Sequence, residues 1–368
     1  MIQWLRKNLF KGWIDSSITI VLVSLGLWLT VKFVDWAYFR SVWNASSLDE
    51  CQQLVTILSG DDPLGACWAV FNNYKNWFLF GFYPEELYWR PVLAFFLLFA
   101  AMAPIFFAAL PRKLIWFSAA YPVIAYALIW GALGFEPVES INFGGFLTTI
   151  ILGVTAVFVA LVCGVTLALG RQYGIRSTKM LSAVMTTLFN GTPILVLLFA
   201  GASLQSYFLP VGFRIPLYVT LIFVLGMAGA AKIAEVLRRE LHVISPGQLE
   251  VATALGLSAS KAFWLVTLPL AYKRSIPQMT VEAAIVFQNT SIVSMIGLLD
   301  PIGLITGVSG TVEWNGILWE LYIGIALVYW TVSFSIVSYS KYYAQKLKRE
   351  QFSSVTAGRY NLNQKAFS

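Results

Sequence analysis

The sequence predicts an all-α polytopic membrane protein with about eight transmembrane helices. Hydrophobic residues make up 58% of the 368 residues and charged residues only 12%, whereas soluble domains are about 25% charged. A helix needs roughly 20 apolar residues to cross the hydrocarbon core of a bilayer, and about eight such segments follow one another along the chain. None of them shows the two-residue alternation that is typical of a membrane β-barrel.

The predicted spans are apolar segments separated by polar connections. In chain order they lie at about residues 17–36, 91–110, 114–134, 146–169, 181–208, 217–238, 276–297 and 317–340. The first segment is longer than the roughly 7–15 apolar residues of a signal peptide, and no A-x-A cleavage pattern follows it. We therefore expect it to remain in the membrane as an anchor.

The distribution of charge orients these spans. Most of the 25 basic residues fall in every second connection and near both termini, while acidic residues concentrate in the other connections. Because short loops rich in Lys and Arg stay in the cytoplasm, both termini are predicted to be cytoplasmic. The net charge of +7 then reflects membrane topology, and we expect no nucleic-acid partner.

The chain is predicted to have three parts. An N-terminal extension, residues 1–140, contains three spans and a long outer (periplasmic) loop at about residues 37–90. A core, residues 141–345, contains five closely spaced spans and a cytoplasmic segment at residues 239–275. A basic cytoplasmic tail, residues 346–368, follows, and we expect it to be poorly ordered, as chain ends often are.

Two cysteines, Cys51 and Cys67, lie in the predicted outer loop, and Cys163 lies inside the fourth span. An outer loop faces an oxidising compartment, in which disulfides persist. Cys51 and Cys67 are therefore candidates for a disulfide. Two free thiols are the alternative, because the separation of their Cα atoms does not follow from the sequence.

The cytoplasmic segment carries its own helix signals. Ser245 can cap a helix, Pro246 suits the first helical position, and Gln248 stands where a capping box needs it. The helix is predicted to run from Pro246 to about Leu255. Gly256 then supplies the left-handed residue that often follows the last turn of a helix.

A second short helix is predicted to begin at Ser258 and to end before Pro269. The first helix has a narrow face of small and apolar side chains, formed by Leu249, Ala252, Thr253 and Gly256. Such a face can enter a groove on another protein. The alternative is a helix that rests on lipid headgroups, but its polar face lacks the Lys and Arg that such helices favour.

This segment resembles the EAA loop of ABC-importer permeases. The motif of that loop is E-A-A, followed after three residues by G, after nine more by I, and after one more by L-P. In this chain the residues at those spacings are Glu250, Val251, Ala252, Gly256, Val266, Leu268 and Pro269. The resemblance implies a coupling helix that docks in a cleft of an ATPase subunit. The residues assigned to this coupling are Ser245, Pro246, Gln248, Leu249, Glu250, Ala252, Thr253, Gly256, Leu257 and Pro269.

Three other stretches resemble the polar-amino-acid permeases of this group. They are "FNGTPILVLLF", with Asn190 at a position where Arg is usual, "AAKIAEVLRREL", and "FQNTSIVSMIG", with Gln288 where Lys is usual. The extra spans at the N-terminus resemble the branch of general L-amino-acid and glutamate/glutamine/aspartate/asparagine permeases. The resemblance implies that the core is a five-helix type I ABC-importer permease.

We expect no catalysis in this chain itself, because its sequence contains neither a nucleotide-binding motif nor a set of zinc ligands. No G-x-x-x-x-G-K-[ST] phosphate-binding loop occurs, and a single histidine, His242, cannot build a zinc site.

Polar residues at membrane depth usually face a pore or a packed interior. The candidates for a substrate path are Asn190, Thr192, Gln205, Gln278, Glu282, Gln288, Asn289 and Thr290; structural roles between helices are the alternative.

Charged residues end the sixth span. Lys232, Glu235 and Arg239 follow at helical spacing, and an ion-pair chain among them is predicted to anchor the cytoplasmic segment. A solvated helix end is the alternative.

The resemblance implies a permease subunit of an ATP-driven importer of polar L-amino acids in the bacterial inner membrane. It further implies a second homologous permease, an ABC ATPase dimer that holds ATP and Mg, and a periplasmic amino-acid-binding protein. This chain itself is expected to bind no cofactor and no metal. The alternatives are an ion-gradient-driven secondary transporter and a membrane scaffold that transports nothing.

Overall fold

The computed structural model describes residues 9–60, 64–106, 111–210, 215–244 and 246–366, and within these ranges the fold is helical. Numbered in chain order, the α-helices are α1 Trp13–Val34, α2 Leu48–Ser59, α3 Ala69–Asn73, α4 Lys75–Phe80, α5 Trp89–Phe106, α6 Ile115–Trp130, α7 Gly145–Tyr173, α8 Arg176–Gly191, α9 Ile194–Phe208, α10 Leu217–Val243, α11 Pro246–Ala254, α12 Ala259–Ala262, α13 Leu268–Asn289, α14 Pro301–Ser309 and α15 Trp319–Ala366. The all-α class predicted from composition is confirmed for these residues.

Fewer spans are found in the described part of the chain than were predicted. Among the described residues, 6 helical stretches are long and apolar enough to cross a membrane, or up to 7 if α8 and α9 form one bent span. The stretches are Trp13–Phe39, Glu85–Pro104, Gly145–Tyr173, Leu217–Val243, Ala259–Ser309 and Trp319–Leu347. The segment predicted at 114–134 contains only the shorter apolar helix Trp116–Trp130. At about 1.5 Å per residue this helix is shorter than the roughly 30 Å hydrocarbon core.

The span predicted at 181–208 is broken. Helices α8 and α9 meet at a bend of 111°, and Thr192 between them is extended, with φ −106° and ψ 133°. Pro193 explains the break, because a proline lacks the N–H needed by a continuing helix and disfavours the helical conformation in the residue before it.

Two compact units divide the chain. The first comprises the described residues up to Lys75 together with Ile305–Gly324. In this unit the predicted outer loop is itself folded into short helices rather than being irregular. Cys51 and Cys67 are joined by a disulfide with Cα atoms 6.1 Å apart, and both are almost fully buried.

Hydrogen bonds connect the distant parts of the first unit. The backbone N–H of Leu48 donates to the carbonyl of Glu313 at 2.7 Å, and the N–H of Cys67 donates to Glu320 Oε1 at 3.1 Å. Helix α2 is capped by Ser47, which accepts from the Glu50 N–H at 3.3 Å. Hydrogen bonds from the Ser46 hydroxyl and backbone N–H lower the pKa of Glu50.

We expect the double variant Cys51→Ser/Cys67→Ser to lose about 3 kcal/mol of stability in the first unit, because a cross-link that closes a loop of this size restricts the unfolded chain. The sequence separation of the two cysteines is 16. Protease digestion of the purified protein, followed over time, measures the loss as faster cleavage between residues 40 and 75. Cys163→Ser is the matched control, since Cys163 is a free thiol. Equal resistance of the double variant and the parent protein would contradict this prediction.

The second unit comprises Asn76–Leu304 and the described residues from Ile325 onward. Its main hydrophobic cluster joins α5 and α6 to α7 and α10, through Ala94, Leu128, Leu152, Leu221 and other buried residues. Two helices of the predicted extension therefore share a hydrophobic core with the helices that follow.

Helices α7 and α10 approach each other closely at small residues. A Cβ atom on Gly226 would lie 2.6 Å from Val159, and one on Gly229 would lie 2.8 Å from Ala160. Small residues commonly permit such close packing between membrane helices.

Helix α15 is longer than the predicted span. It continues to Ala366, so the tail that was expected to be poorly ordered is helical throughout its described part. The sequence between Trp319 and Ala366 contains no proline, and nothing therefore stops the helix after the apolar stretch. Within the second unit, the Ser340 hydroxyl donates to the carbonyl of Pro277 at 2.6 Å, which ties α15 to the middle of α13.

Candidate functional site

Helix α11 occupies the position of the predicted cytoplasmic helix. It runs from Pro246 to Ala254, directly after α10 ends at Val243. Ser245, the predicted cap, lies outside the described residues, as do the side chains of Pro246, Gln248 and Leu249.

The end of α11 is set by a glycine. Gly256 has φ +89°, and its N–H donates to the Thr253 carbonyl at 2.9 Å while the N–H of Leu257 donates to the Ala252 carbonyl at 3.2 Å. This pair of bonds is the Schellman arrangement, in which a left-handed residue closes the helix. The left-handed conformation predicted for Gly256 is confirmed.

The exposed face of α11 differs from the face predicted to dock a partner. Ala252 is only 4% exposed and points into this chain, while Glu250 and Thr253 are exposed. Val251 and Leu255 are the large apolar side chains on the outside, with 61% and 80% of their surfaces exposed. They are four residues apart, so they lie on the same side of the helix.

The second helix of the segment does not end before Pro269, and that expectation was wrong. Helix α12 begins after Ser258, whose hydroxyl accepts from the Lys261 N–H at 3.4 Å. A π-helical turn, Phe263–Thr267, follows and leads directly into α13. Pro269 falls in the first turn of α13, where its missing N–H breaks no helical bond.

An ion cluster holds the C-terminal parts of α7 and α10 together. Glu235 accepts from Arg238 Nη2 at 2.8 Å and from Arg171 Nη1 at 3.4 Å. Arg171 Nη1 also donates to Thr186 of α8 at 3.2 Å. About a third of each charged side chain is exposed, so the cluster lies at the edge of the helix bundle.

This cluster differs from the ion-pair chain of Lys232, Glu235 and Arg239 that was predicted. Arg239 donates to the backbone carbonyl of Glu235 rather than to its carboxylate, and Lys232 is exposed. Spacing along α10 could not reveal Arg171, because this residue comes from another helix 64 positions away.

The polar candidates on α13 form a stripe that the chain itself does not cover. Gln278 and Gln288 are exposed, and Glu282 and Asn289 are half-buried. Gln278 Nε2 donates to Glu282 Oε1 at 3.1 Å. Thr290 differs from the others, because it is fully buried and its hydroxyl donates to the Phe287 carbonyl at 2.7 Å. We call Gln278, Glu282, Gln288 and Asn289 the polar stripe of α13.

The candidates near the α8–α9 bend are separate from this stripe. Asn190 is exposed, and its Nδ2 donates weakly to the Ala231 carbonyl at 3.4 Å. Thr192 is half-buried at the bend. Gln205 lines an otherwise apolar cavity of about 360 Å³ beside α9, and no described residue donates a hydrogen bond to its Oε1.

Two buried pairs of hydroxyl groups were not predicted from the sequence. Thr148 lies 2.9 Å from the Tyr218 hydroxyl, and Thr149 lies 3.1 Å from the Tyr329 hydroxyl. Both threonines are on α7 and fully buried, so these pairs fasten α7 to two other helices. In the described ranges, no group of three His, Cys, Asp or Glu side chains is placed to hold a metal ion.

Known proteins align with nearly the whole of this chain. Residues 156–349 match the family model described as binding-protein-dependent transport system inner membrane component. The glutamate/glutamine/aspartate/asparagine transport system permease protein BztC of Rhodobacter capsulatus is 35% identical, over 95% of this chain and 94% of its own length. The inner membrane amino-acid ABC transporter permease protein YhdY of Escherichia coli is 31% identical, over 92% of this chain and 91% of its own.

Among solved structures, one described as the crystal structure of an amino acid ABC transporter with histidines is 26% identical to this chain. The matched region covers 54% of this chain and 91% of the chain in that structure, with a TM-score of 0.49.

Proposed function

This chain belongs to the family of binding-protein-dependent transport system inner membrane components, and we propose that it is a membrane-spanning permease of an ATP-driven importer of polar L-amino acids. The names of two relatives that align over nine-tenths of the chain describe amino-acid permeases. The observation that supports the proposal is the combination of an exposed short helix between apolar helices, α11, with a polar stripe on the long apolar helix α13.

Coupling to a separate ATPase rests on α11. Its outward face presents Val251 and Leu255 beside Glu250 and Thr253, a mixture of apolar and polar groups that fits a groove on a protein. Its position between α10 and α13 connects it to two membrane-spanning helices. In this proposal the partner ATPase dimer holds ATP and Mg, and hydrolysis there supplies the energy for transport.

The exposed polar stripe of α13 supports the proposal of a second permease subunit. Glutamine, asparagine and glutamate side chains are expensive to leave against lipid, yet this chain leaves Gln278 and Gln288 exposed. A homologous subunit that covers this face would enclose the polar groups in a path between the two permeases. We propose that Gln278, Glu282, Gln288 and Asn289 line that path in the bacterial inner membrane, and that Asn190, Thr192 and Gln205 lie near it. A periplasmic amino-acid-binding protein would deliver the substrate.

Co-purification followed by reconstitution tests this function. The chain is extracted in mild detergent from its native membrane, its partners are identified, and uptake of labelled amino acids is measured in proteoliposomes. A second permease, an ATPase and uptake that requires ATP are expected. Gradient-driven uptake by this chain alone would instead indicate a secondary transporter, and a chain that transports nothing in any complex would indicate a scaffold.

The same vesicles test the polar stripe. We expect Gln278→Leu/Glu282→Leu to reduce uptake at least about tenfold while the complex still assembles, because the apolar side chains remove hydrogen-bonding groups from the path. Ile285→Leu is the control, since Ile285 is exposed on the same side of α13 and carries no polar group. Unchanged uptake in the double variant would assign these residues to helix packing.

A further inference from the structure

Helix α15 leaves the membrane at a cluster of aromatic and basic residues. Its apolar span begins at Trp319, and Lys341 follows 22 residues later, about 33 Å along the helix at about 1.5 Å per residue. This distance matches the roughly 30 Å core of a bilayer. Tyr339, Tyr342 and Tyr343 occur at the same level, where tyrosines commonly mark the membrane–water interface.

The basic residues beyond this level share one face. Successive residues of a helix are turned by about 100°, so Lys341, Tyr342, Lys346 and Arg349 fall within an arc of about 140°. All four are exposed, and Tyr342 is 64% exposed. The opposite side of the same turns carries Tyr343, Ala344 and Leu347, which are half-buried. The helix therefore turns its basic face away from the rest of the chain.

Basic residues outnumber acidic ones on this part of α15, where Glu350, next to Arg349, is the nearest acidic residue. The sequence contains no Asp or Glu between Glu320 and Glu350. Long Lys and Arg side chains beside a membrane-spanning helix reach the headgroup level while their apolar stems stay along the interface. The three cations thus lie where phospholipid phosphates and anionic headgroups are found.

We propose that Lys341, Lys346 and Arg349 of α15 form a binding face for anionic phospholipid headgroups at the leaflet where the helix leaves the bilayer. Each basic side chain near an anionic membrane surface strengthens the contact about fivefold, and the exposed Tyr342 lies at the same level of the helix. The proposal depends only on the helix and its charges, and it holds whether or not the chain transports amino acids.

Photo-crosslinking in nanodiscs tests this face. The full complex is placed in nanodiscs that contain trace amounts of a diazirine-labelled phosphatidylglycerol or of a phosphatidylcholine with the same label. After illumination the protein is cut with a protease that does not recognise Lys or Arg, and lipid attached to residues 339–350 is quantified by mass spectrometry. We expect phosphatidylglycerol to label this peptide at least about fivefold more than phosphatidylcholine at low salt, and the preference to shrink as salt screens the charges.

Two triple variants make the test specific. Lys341→Gln/Lys346→Gln/Arg349→Gln should bring the labelling ratio close to one. The control, Lys11→Gln/Arg176→Gln/Lys179→Gln, removes the same charge from exposed basic residues elsewhere and should keep the preference. Equal labelling by both lipids in the parent protein would overturn the proposal. So would labelling that appears only after the other subunits are removed, because an acidic protein surface would then cover the face.

Discussion

Replacing Gly256 with valine is expected to reduce substrate uptake by the reconstituted transporter at least about tenfold, while ATP hydrolysis and membrane insertion continue. Gly256 has φ +89°, a conformation that costs a β-branched residue about 1–2 kcal/mol or more. Valine should therefore open the last turn of α11 and turn Leu255 away from its position. Uptake and ATPase activity measured in the same vesicles separate loss of coupling from loss of the protein.

Asparagine at the same position is the matched control. Asn tolerates the left-handed conformation far better than valine, and no atom lies within 4 Å of a Cβ atom added at Gly256. Gly256→Asn should therefore retain most of the uptake. If Gly256→Val also retained normal coupled uptake, the docking role of α11 would be refuted.

Alanine in place of Gly81 is expected to destabilise the second unit by about 3 kcal/mol or more, the sum of a left-handed backbone penalty and an overpacked contact. Gly81 has φ +68°, and its added Cβ would lie 2.3 Å from the Cα and 2.4 Å from the N of Gly144. These are backbone atoms just before α7, and they cannot rotate away. A lower melting temperature in detergent, or loss of the folded protein from the membrane, measures the effect.

The contribution of the clash is isolated by Gly297→Ala. Gly297 also has a positive φ, +93°, but no atom lies within 4 Å of its added Cβ. This variant should lose only the backbone part, about 1–2 kcal/mol. Similar losses in the two variants would show that the close approach of Gly81 and Gly144 contributes little.

Most of the correct predictions rest on residues that lie close together in the sequence. The helical class of the apolar segments and the left-handed conformation of Gly256 follow from residues near one another in the sequence, and the structure agrees with both. The span predicted at 181–208 is instead broken at Pro193, and the angle of that bend depends on the neighbouring helices. Pro269 misled the prediction, since a proline suits the first turn of a helix as well as it ends one.

Contacts between distant segments could not be predicted. Glu235 has basic residues at suitable spacing on its own helix, yet one of its two partners, Arg171, comes from α7. The inward orientation of Ala252 likewise depends on what α11 packs against. The boundary between the two units lies inside the predicted extension because buried residues of α5 and α6 meet α7, and hydropathy along a chain contains no information on such partners.

The helical path from Ala259 to Asn289 is about 45 Å long at about 1.5 Å per residue. Pro277 lies inside it, and a proline within a helix removes a backbone hydrogen bond and marks a point where the helix bends. The carbonyl of Pro277 also accepts the hydrogen bond from Ser340, so this point is anchored to α15. A movement near Ala259 would thus reach Asn289 through a joint rather than through a rigid body.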